Sequence, residues 1–341
     1  MRAAVYEGPG NIRVEQVADP EIMLDTDALV RVTHAAISGN DLWSYRGYGQ
    51  RTPGSRIGRE LLGVVEDVGT EVRTVRRGDV VIAPSAFSDG TCEYCLSGLH
   101  TSCVDGGVWA EPGHDGGQGE AVRVPNADGT LVVVPRTLAT AWARLLPLAD
   151  VLPAGHHAAV SAGVGYRKTV AVVGDGAVGL SAVLAARRLG ADRVIMLGHH
   201  PERLDLVQSL GAAEAVYGRD DAAIEQFMSV SGGADCVLEC VGAQSALDTA
   251  IKIAKDGSTI GYVGTPHLVE GLDLAQLFGR NIRLAGGASP ARAYLPALLA
   301  DVLSGQLDAS PLFDLTLSLD DVADGYVAMD ARKALKVHLA I

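Results

Sequence analysis

A glycine pattern between an apolar strand and an Ala/Leu-rich stretch constrains this chain more than any other feature of its sequence. Residues 169–173 read Thr-Val-Ala-Val-Val, which is typical of a buried strand. Residues 174–179 follow directly and match G-x-G-x-x-G, and a helical stretch comes next. A bare motif of this kind is often only a flexible turn. Between a strand and a helix it predicts a Rossmann unit that binds a dinucleotide.

Each position of the motif serves the predicted site. Gly174 permits the tight turn, Gly176 lets the backbone approach a pyrophosphate, and Gly179 lets the helix pack closely on the sheet. The free N–H groups at the start of the helix face the anion. We expect the cofactor to contact the whole loop and the end of a later strand: Gly174, Asp175, Gly176, Ala177, Val178, Gly179, Val263 and Gly264.

The next strand, residues 193–197, bears on the choice between NAD and NADP. An NAD site places an Asp or Glu at the end of this strand, about 20 residues after the motif. Here the strand runs into Gly198, His199 and His200, with Arg203 close behind, so the expected acid is missing. The two histidines and the arginine could bind a 2′-phosphate, and the alternative is that they are ordinary solvated loop residues. We favour NADP(H) as the cofactor.

Composition excludes several classes of function. The chain has 341 residues, 48% hydrophobic and 20% charged, which favours a globular protein over a disordered one. Its formal net charge of −13 argues against nucleic acid or an anionic membrane as a partner. No apolar run reaches the roughly 18 residues of a membrane span, and the N-terminal segment does not resemble a signal peptide. We therefore expect a cytoplasmic protein with a small-molecule substrate.

The change in residue patterns along the sequence predicts two domains. Before residue 151, β-branched segments alternate with turns that contain Gly and Pro. From 152 to 286, apolar strands alternate with helical stretches, which is the pattern of a parallel sheet in an α/β fold. The tail returns to shorter mixed elements, and we expect it to pack on the first stretch. The predicted domains are 1–151 together with 287–341, and 152–286.

Three of the five cysteines lie close together and suggest a metal site. Asp89, Cys92, Cys95 and Cys103 place four possible ligands on one loop. Thiolates with a carboxylate form a suitable tetrahedral ligand set for a structural zinc ion. The alternative is a metal-free loop with reduced cysteines.

Further motifs connect these features to a known family. Residues 58–65 read Gly-Arg-Glu-Leu-Leu-Gly-Val-Val, residues 78–81 read Gly-Asp-Val-Val, and residues 115–120 read Asp-Gly-Gly-Gln-Gly-Glu. With the cysteine loop and the glycine motif, they make the chain resemble the medium-chain dehydrogenase/reductase superfamily, in its zinc alcohol dehydrogenase branch. The resemblance implies an α/β protein with a GroES-like, mainly-β catalytic domain and a doubly wound Rossmann domain. It also implies hydride transfer from a nicotinamide and assembly as a homodimer or homotetramer.

The chain departs from that family where the catalytic zinc would bind. The resemblance assigns a Cys ligand to the position of Ser38, a His ligand to that of Arg59, a third ligand to Asp150 and a nearby acid to Glu60. A guanidinium has no lone pair to offer a metal. We therefore expect no catalytic zinc, and we expect Arg59 to replace its charge and to pair with Asp150 or Glu60. The alternative is that Arg59 turns to solvent and zinc still binds weakly.

The family's proton relay is also altered, because its positions are held by Asn40 and Trp43. Flat side chains nearby, Trp43, Tyr45, Tyr48 and Trp109, are candidates to line the substrate pocket, with ordinary core or dimer packing as the alternative. Tyr45, Tyr48 or water could donate a proton.

Without a Lewis acid, oxidation of an unactivated alcohol is difficult, whereas hydride delivery to an electrophilic carbon needs no metal. The sequence therefore suggests an NADPH-dependent reductase of an activated C=N bond, or of a conjugated C=C or C=O bond. The alternatives are a conventional zinc-dependent alcohol dehydrogenase, a non-redox cyclase or isomerase, and a non-catalytic NADPH-binding protein.

Overall fold

A computed structural model describes residues 1–49, 51–111, 113–136, 140–211 and 214–341 of the chain. The chain divides into two compact units, Met1–Asp150 with Pro290–Ile341, and Val151–Ser289. These limits lie a few residues from the domain boundaries expected from the sequence.

The first unit is built mainly from strands. Their bounds are β1 (Arg2–Gly8), β2 (Asn11–Gln16), β3 (Ala28–Ala36), β4 (Ser55–Arg56), β5 (Glu60–Val68), β6 (Val80–Ala83), β7 (Ala86–Phe87), β8 (Gly107–Val108), β9 (Ala121–Val124), β10 (Val132–Val134), β17 (Leu315–Ser318) and β18 (Val337–Ala340). One sheet has the order β2-β1-β4, and the pair β7-β8 forms another. The largest sheet has the order β10-β6-β5-β3-β18-β17, and β9 also pairs with β3.

The tail of the chain is part of this sheet. β18 pairs antiparallel with β3, with Leu339 opposite Ala35 and His338 opposite Ala36. Both strands are rich in β-branched and apolar residues, whose side chains suit a half-buried pleated surface. As a result, the residues that follow β3 lie beside residues from the C-terminal end of the chain.

Six helices in the described residues, four of them short, complete the first unit. They are α1 (Asp41–Tyr45), α2 (Glu93–Leu96), α3 (Ala127–Thr130), α4 (Trp142–Leu145), α11 (Ala291–Ser304) and α12 (Val322–Asp330). The core beneath them is apolar and includes Val30, Leu61, Trp109, Tyr326 and Val337.

The second unit is a parallel sheet whose strands alternate with helices along the chain. Its strands are β11 (Thr169–Val173), β12 (Arg193–Gly198), β13 (Glu214–Tyr217), β14 (Ala234–Glu239), β15 (Ala254–Tyr262) and β16 (Arg283–Gly286), in the order β13-β12-β11-β14-β15-β16. Its helices are α5 (Val151–Ser161), α6 (Ala177–Arg188), α7 (Pro201–Ser209), α8 (Asp221–Ser231), α9 (Gln244–Ile253) and α10 (Leu274–Gly279). The predicted α/β fold class with a Rossmann-type sheet is confirmed. Within the described residues, no helix combines the length and apolarity needed to cross a membrane.

A stack of aromatic rings in the first unit holds a buried histidine. His338 on β18 is 2% exposed, and its ring centroid lies 3.5 Å from that of Trp142. Its Nε2 lies 3.0 Å from Nδ1 of His34. Burial, followed by the neighbouring His34, lowers the pKa of His338 to about 3. The ring therefore stays neutral in the folded chain at pH values where the unfolded chain is protonated.

We expect acid to destabilise the chain through His338. Its pKa in the unfolded chain is about 6.5, so only the unfolded chain takes up this proton between pH 6.5 and about 3. Between pH 7.5 and pH 5 the free energy of unfolding should fall by about 2 kcal/mol through this residue. A His338→Gln variant should lose that part of the pH dependence. Urea unfolding at both pH values measures it, and parallel profiles for wild type and variant would contradict the prediction.

Candidate functional site

The segment that follows β3 holds Ser38 in a fixed orientation. The Ser38 backbone N–H donates to Oδ2 of Asp41 at 3.0 Å, and the Asn40 N–H donates to the Ser38 hydroxyl oxygen at 3.2 Å. The hydroxyl in turn donates to Oδ2 of Asp150 at 3.1 Å. Ser38 is only 2% exposed. The structure thus brings together three residues singled out from the sequence, Ser38, Asn40 and Asp150, and adds Asp41.

Arg59 is held in the site rather than turned to solvent. Its side chain is 15% exposed, and its Nε lies 3.4 Å from Oδ1 of Asp41. Burial alone would lower the pKa of Arg59, but the carboxylates of Asp41, Asp150 and Glu111 outweigh it and hold that pKa above its ordinary value. The prediction that Arg59 pairs with Asp150 or Glu60 is wrong. Asp41, in the first turn of α1, reaches the guanidinium instead.

Glu60 has a different partner, which no pattern in the sequence predicts. Nζ of Lys336 lies 2.8 Å from Oε1 of Glu60 and also donates to the Ile37 carbonyl oxygen at 3.3 Å. Both side chains are almost fully buried. Burial raises the pKa of Glu60 to about 8, and Lys336 opposes the rise. Lys336 immediately precedes β18, so only the pairing of the tail with β3 brings the two charges together.

The aromatic candidates divide between the core and the surface. Trp109 is 1% exposed, its Nε1 donates to the Pro84 carbonyl oxygen at 2.7 Å, and it packs in the core. Trp109 is therefore a core residue, which was the alternative to its lining a pocket. Tyr45 packs against the same core, where burial raises its pKa, while Tyr48 is exposed and meets Trp43 edge to face. Among the described residues, neither tyrosine hydroxyl makes a hydrogen bond to Ser38 or Asp150.

The four predicted zinc ligands converge. One ligand atom each from Asp89, Cys92, Cys95 and Cys103 lies within 4.8 Å of the other three. Oδ1 of Asp89 accepts backbone N–H groups from Thr91 and Cys92, at 2.5 and 2.8 Å, which leaves its second oxygen for a metal. The Asp89 N–H donates to Sγ of Cys103 at 3.2 Å. This donor set fits a closed tetrahedral zinc site, and within the described ranges no other such cluster of three or more His, Cys, Asp or Glu occurs.

The glycine motif forms a tight loop between β11 and α6. Gly174 adopts φ +112°, a region that favours glycine, and a Cβ there would lie 2.5 Å from the Val241 side chain. A Cβ on Gly179 would lie 1.8 Å from the Gly174 carbonyl oxygen, so only glycine fits. Gly176 caps α6, and Ala177 and Val178 form its first turn. The helix start thus presents free backbone N–H groups, as a pyrophosphate site requires.

An acid does lie at the end of β12, although it comes from elsewhere in the chain. A Cβ on Gly198 would lie 2.6 Å from Oδ2 of Asp175, so the Asp175 carboxylate occupies the space that a strand-end side chain would fill. The same oxygen accepts the backbone N–H groups of His199 and His200, at 2.6 and 2.8 Å, and lies 3.0 Å from Nδ1 of His200. The expectation that this edge has no acid is therefore wrong, because the glycine loop supplies one.

Arg219, which no sequence pattern singled out, faces the same edge. It follows β13, and its Nε donates to Nε2 of His199 at 2.8 Å. Its Nη1 is buried and makes no hydrogen bond within the part of the chain that the structure describes. Burial lowers the pKa of Arg219, and Asp175 and Glu239 oppose that shift. A predicted strand order that places β13 beside β12 would have identified Arg219, because Arg219 follows β13.

Three further predicted cofactor residues lie on the same unit. Arg203 is largely buried on α7 and so does not extend into solvent. Val263 and Gly264 directly follow β15, and their N–H groups donate to the Glu239 carbonyl oxygen at 2.9 and 3.3 Å. They lie where β14 and β15 end, at the carboxyl edge of the parallel sheet, which is where α/β sheets bind ligands.

Comparison with known proteins agrees with this geometry. Residues 24–136 match the alcohol dehydrogenase GroES-like domain, and residues 177–304 match the zinc-binding dehydrogenase family. Zinc-type alcohol dehydrogenase B of Aspergillus flavus is 31% identical over 346 residues, which cover 99% of this chain and 80% of the relative. The medium chain reductase/dehydrogenase ucsI of Acremonium sp. is 35% identical over 277 residues, which cover 78% of this chain and 94% of the relative. The solved structure of alcohol dehydrogenase TADH from Thermus sp. ATN1 gives a TM-score of 0.92 at 32% identity, covering 100% of this chain and 99% of that one.

A GroES-like domain joined to a Rossmann domain defines a class of nicotinamide-dependent oxidoreductases. The chain belongs to the medium-chain dehydrogenase/reductase superfamily, in its zinc alcohol dehydrogenase branch. The predicted family is confirmed.

We expect the purified protein to carry one zinc ion per chain in the Asp89–Cys103 loop. A Cys92→Ser variant removes one thiolate, so it should lose this zinc and unfold several degrees lower, because structural zinc contributes directly to folding. Elemental analysis and a thermal melt measure both. The control is Cys236→Ala, which changes a buried cysteine outside the loop and should keep its zinc. Equal zinc in the two variants would contradict the assignment.

Proposed function

We propose that the chain is an NADPH-dependent reductase that works without a catalytic zinc ion and delivers hydride to an activated C=N bond or to a conjugated C=C or C=O bond. The proposal rests on Arg59, which occupies a position where the family resemblance places a metal ligand. Its guanidinium is held in the site, with Nε 3.4 Å from Oδ1 of Asp41. The Rossmann unit would bind the dinucleotide, and the group around Ser38, Arg59 and Asp150 would bind the reacting end of the substrate.

The charges argue against a second zinc ion. A guanidinium and a divalent ion 4 Å apart repel by roughly 8 kcal/mol at an effective dielectric constant near 20. The Ser38 hydroxyl is neutral and already donates to Asp150, and Oε1 of Glu60 already accepts from Lys336. These donors are a poor set for zinc, which prefers thiolate, imidazole and carboxylate.

The remaining groups suit an electrophile that needs no metal. A bound NADPH would supply a hydride for the carbon of the C=N or conjugated bond, and the displaced electron pair would move to nitrogen or oxygen. Ser38 and Arg59 can orient the substrate through hydrogen bonds. Reduction of an iminium ends at a neutral amine and requires no proton, whereas reduction of a conjugated carbonyl needs one from Tyr45, Tyr48 or water.

The preference for NADPH rests on the charges at the end of β12. Three N–H groups already occupy Oδ2 of Asp175, while Arg219, whose Nε donates to His199 at the same edge, places a permanent positive charge where a 2′-phosphate would lie. Arginine suits phosphate because its charge is permanent and its donors are arranged as a fork. We therefore propose Arg219 with His199 and His200 as the phosphate-binding group.

We also propose that the chain forms a homodimer or homotetramer. β16 lies at the edge of the parallel sheet, and an edge strand offers unpaired backbone groups to a second copy. An apolar groove lies beside it, lined by Leu274, Leu277, Phe278 and Leu284, among others, and Phe278 is 86% exposed.

Consumption of NADPH with chosen acceptors tests the function. We expect turnover at 340 nm with iminium or conjugated substrates at one zinc per chain, and no gain from added zinc. The matched variant Ser38→Cys/Arg59→His restores the two missing ligand types and should bind a second zinc. Activity confined to simple alcohols with added zinc would overturn the proposal. Substrate conversion without net NADPH consumption, or NADPH binding with no turnover, would identify a non-redox enzyme or a binding protein instead.

Replacement of Arg219 tests the cofactor preference. An Arg219→Gln variant should raise KM for NADPH by about 10-fold or more and change KM for NADH by less than about 2-fold, since only NADPH carries the 2′-phosphate. Steady-state kinetics with both cofactors measure the two constants. An Arg280→Gln variant, which removes an arginine that pairs with Asp256, serves as the control. Equal effects on the two cofactors would refute the assignment.

A further inference from the structure

The cationic side chains around Ser38 each have a partner in the described chain. Arg59 lies against Asp41, Lys336 against Glu60, and Arg51 donates to the Ala110 carbonyl oxygen. Asp150 is different. Across the described residues, no Lys, Arg or His nitrogen lies within 4.0 Å of its carboxylate, and its one hydrogen bond comes from the Ser38 hydroxyl to Oδ2.

We infer that the substrate of this site carries a positive charge and that Asp150 is the side chain that binds it. The inference rests on the proposed function and narrows its substrate class to iminium ions. Oδ1 of Asp150 accepts no hydrogen bond from the described chain and is not among its buried atoms, so a cationic nitrogen can reach it. A half-buried carboxylate without a cationic partner favours a cation, because water screens its charge less than that of a surface acid.

Arg59 does not cancel this preference. It is close enough for Asp150 to raise its pKa, but it lies beyond 4.0 Å from Asp150 and makes its short contact with Asp41. The negative charge of Glu111 also acts on this guanidinium and raises the pKa of Arg59. The positive charge of Arg59 is therefore shared among three acids, of which Asp41 is the nearest.

Asp150 is also held in place before any substrate binds. The backbone carbonyl oxygen of Ala149 accepts the Ser85 N–H at 2.8 Å, which fixes the chain just before it. The Ser38 hydroxyl that donates to Asp150 is itself oriented by the Asn40 N–H. A carboxylate positioned in this way binds a cation without paying the cost of ordering its own side chain.

The change of charge during the reaction explains why the site would prefer a cationic substrate. Hydride addition would convert the C=N⁺ group to a neutral amine, and the positive charge would then lie on the nicotinamide ring of the oxidised cofactor. Reduction of a conjugated carbonyl would instead build negative charge on oxygen, which Asp150 would oppose. Because the substrate's charge is present before the reaction and disappears during it, Asp150 strengthens binding rather than the chemical step.

Binding of a cation that cannot be reduced tests the inference apart from turnover. The probe is N,N-dimethyl-1,2,3,4-tetrahydroisoquinolinium, with neutral 2-tetralone for comparison, titrated by calorimetry into the full chain saturated with NADP⁺. Asp150→Asn should weaken binding of the cation by about 10-fold or more and leave 2-tetralone within about 2-fold. Asp150→Glu should retain most of the affinity for the cation. Asp320→Asn, which removes an exposed acid that pairs with Arg2, should change neither.

Kinetics supply the second measurement. With N-methyl-3,4-dihydroisoquinolinium, a permanent iminium, Asp150→Asn should raise KM with kcat unchanged or higher. With 2-cyclohexenone the same variant should not raise KM and should raise kcat, because Asp150 opposes the negative charge that builds on oxygen. If the wild type binds the cation but reduces neither iminium nor enone, the proposed function fails and the binding role of Asp150 stands. If iminium or enone is reduced but Asp150→Asn binds the cation as well as the wild type does, the inference is overturned and the reductase stands.

Discussion

The site depends on the place at which one guanidinium is held. Asp41 lies in the first turn of α1, and its Oδ2 accepts the Ser38 N–H while its Oδ1 faces Arg59. One carboxylate therefore fixes both the backbone of Ser38 and the side chain of Arg59. A charge with so little exposure needs such a partner, because an unpaired buried charge costs several kcal/mol. The positive charge is thus part of the fold, and the neighbouring groups are arranged around it.

The second buried cation depends on the path of the chain. Lys336 lies next to Glu60 only because β18 returns to pair with β3. Desolvation of such a pair offsets much of its attraction, so the contact is weak evidence for stability. Its effect on geometry is clearer. Lys336 also donates to the carbonyl oxygen of Ile37, the residue that directly precedes Ser38. The tail therefore contributes to the position of Ser38 as well as to the sheet.

The sequence predicted those features that local patterns carry. The strand, glycine loop and helix from Thr169 to Arg188 follow from periodicity and from positions where only glycine fits, and the cysteine spacing predicted a loop whose ligands do converge. Contacts between distant segments could not be predicted in this way. Asp175 fills the space beside Gly198 because the loop folds onto the end of β12, and the pattern of β12 alone contains no sign of it. The partners of Arg59 and Glu60 were missed for the same reason, since side-chain reach between separate elements decides them.

The cysteine loop and the group around Ser38 differ in what the loss of a metal ligand would change. In the cysteine loop, zinc binding is folding free energy, and four ligand residues converge there. Around Ser38, a bound metal would have contributed chemistry, and fixed side chains can replace its charge but only in part. A zinc ion carries two positive charges and the guanidinium of Arg59 carries one. The buried acids Asp41 and Glu60 each have a cation in contact, whereas the carboxylate of Asp150 has none within 4.0 Å among the described residues. The proposed replacement of a metal ion by Arg59 would thus alter the charge that a substrate encounters as well as the chemistry available to it.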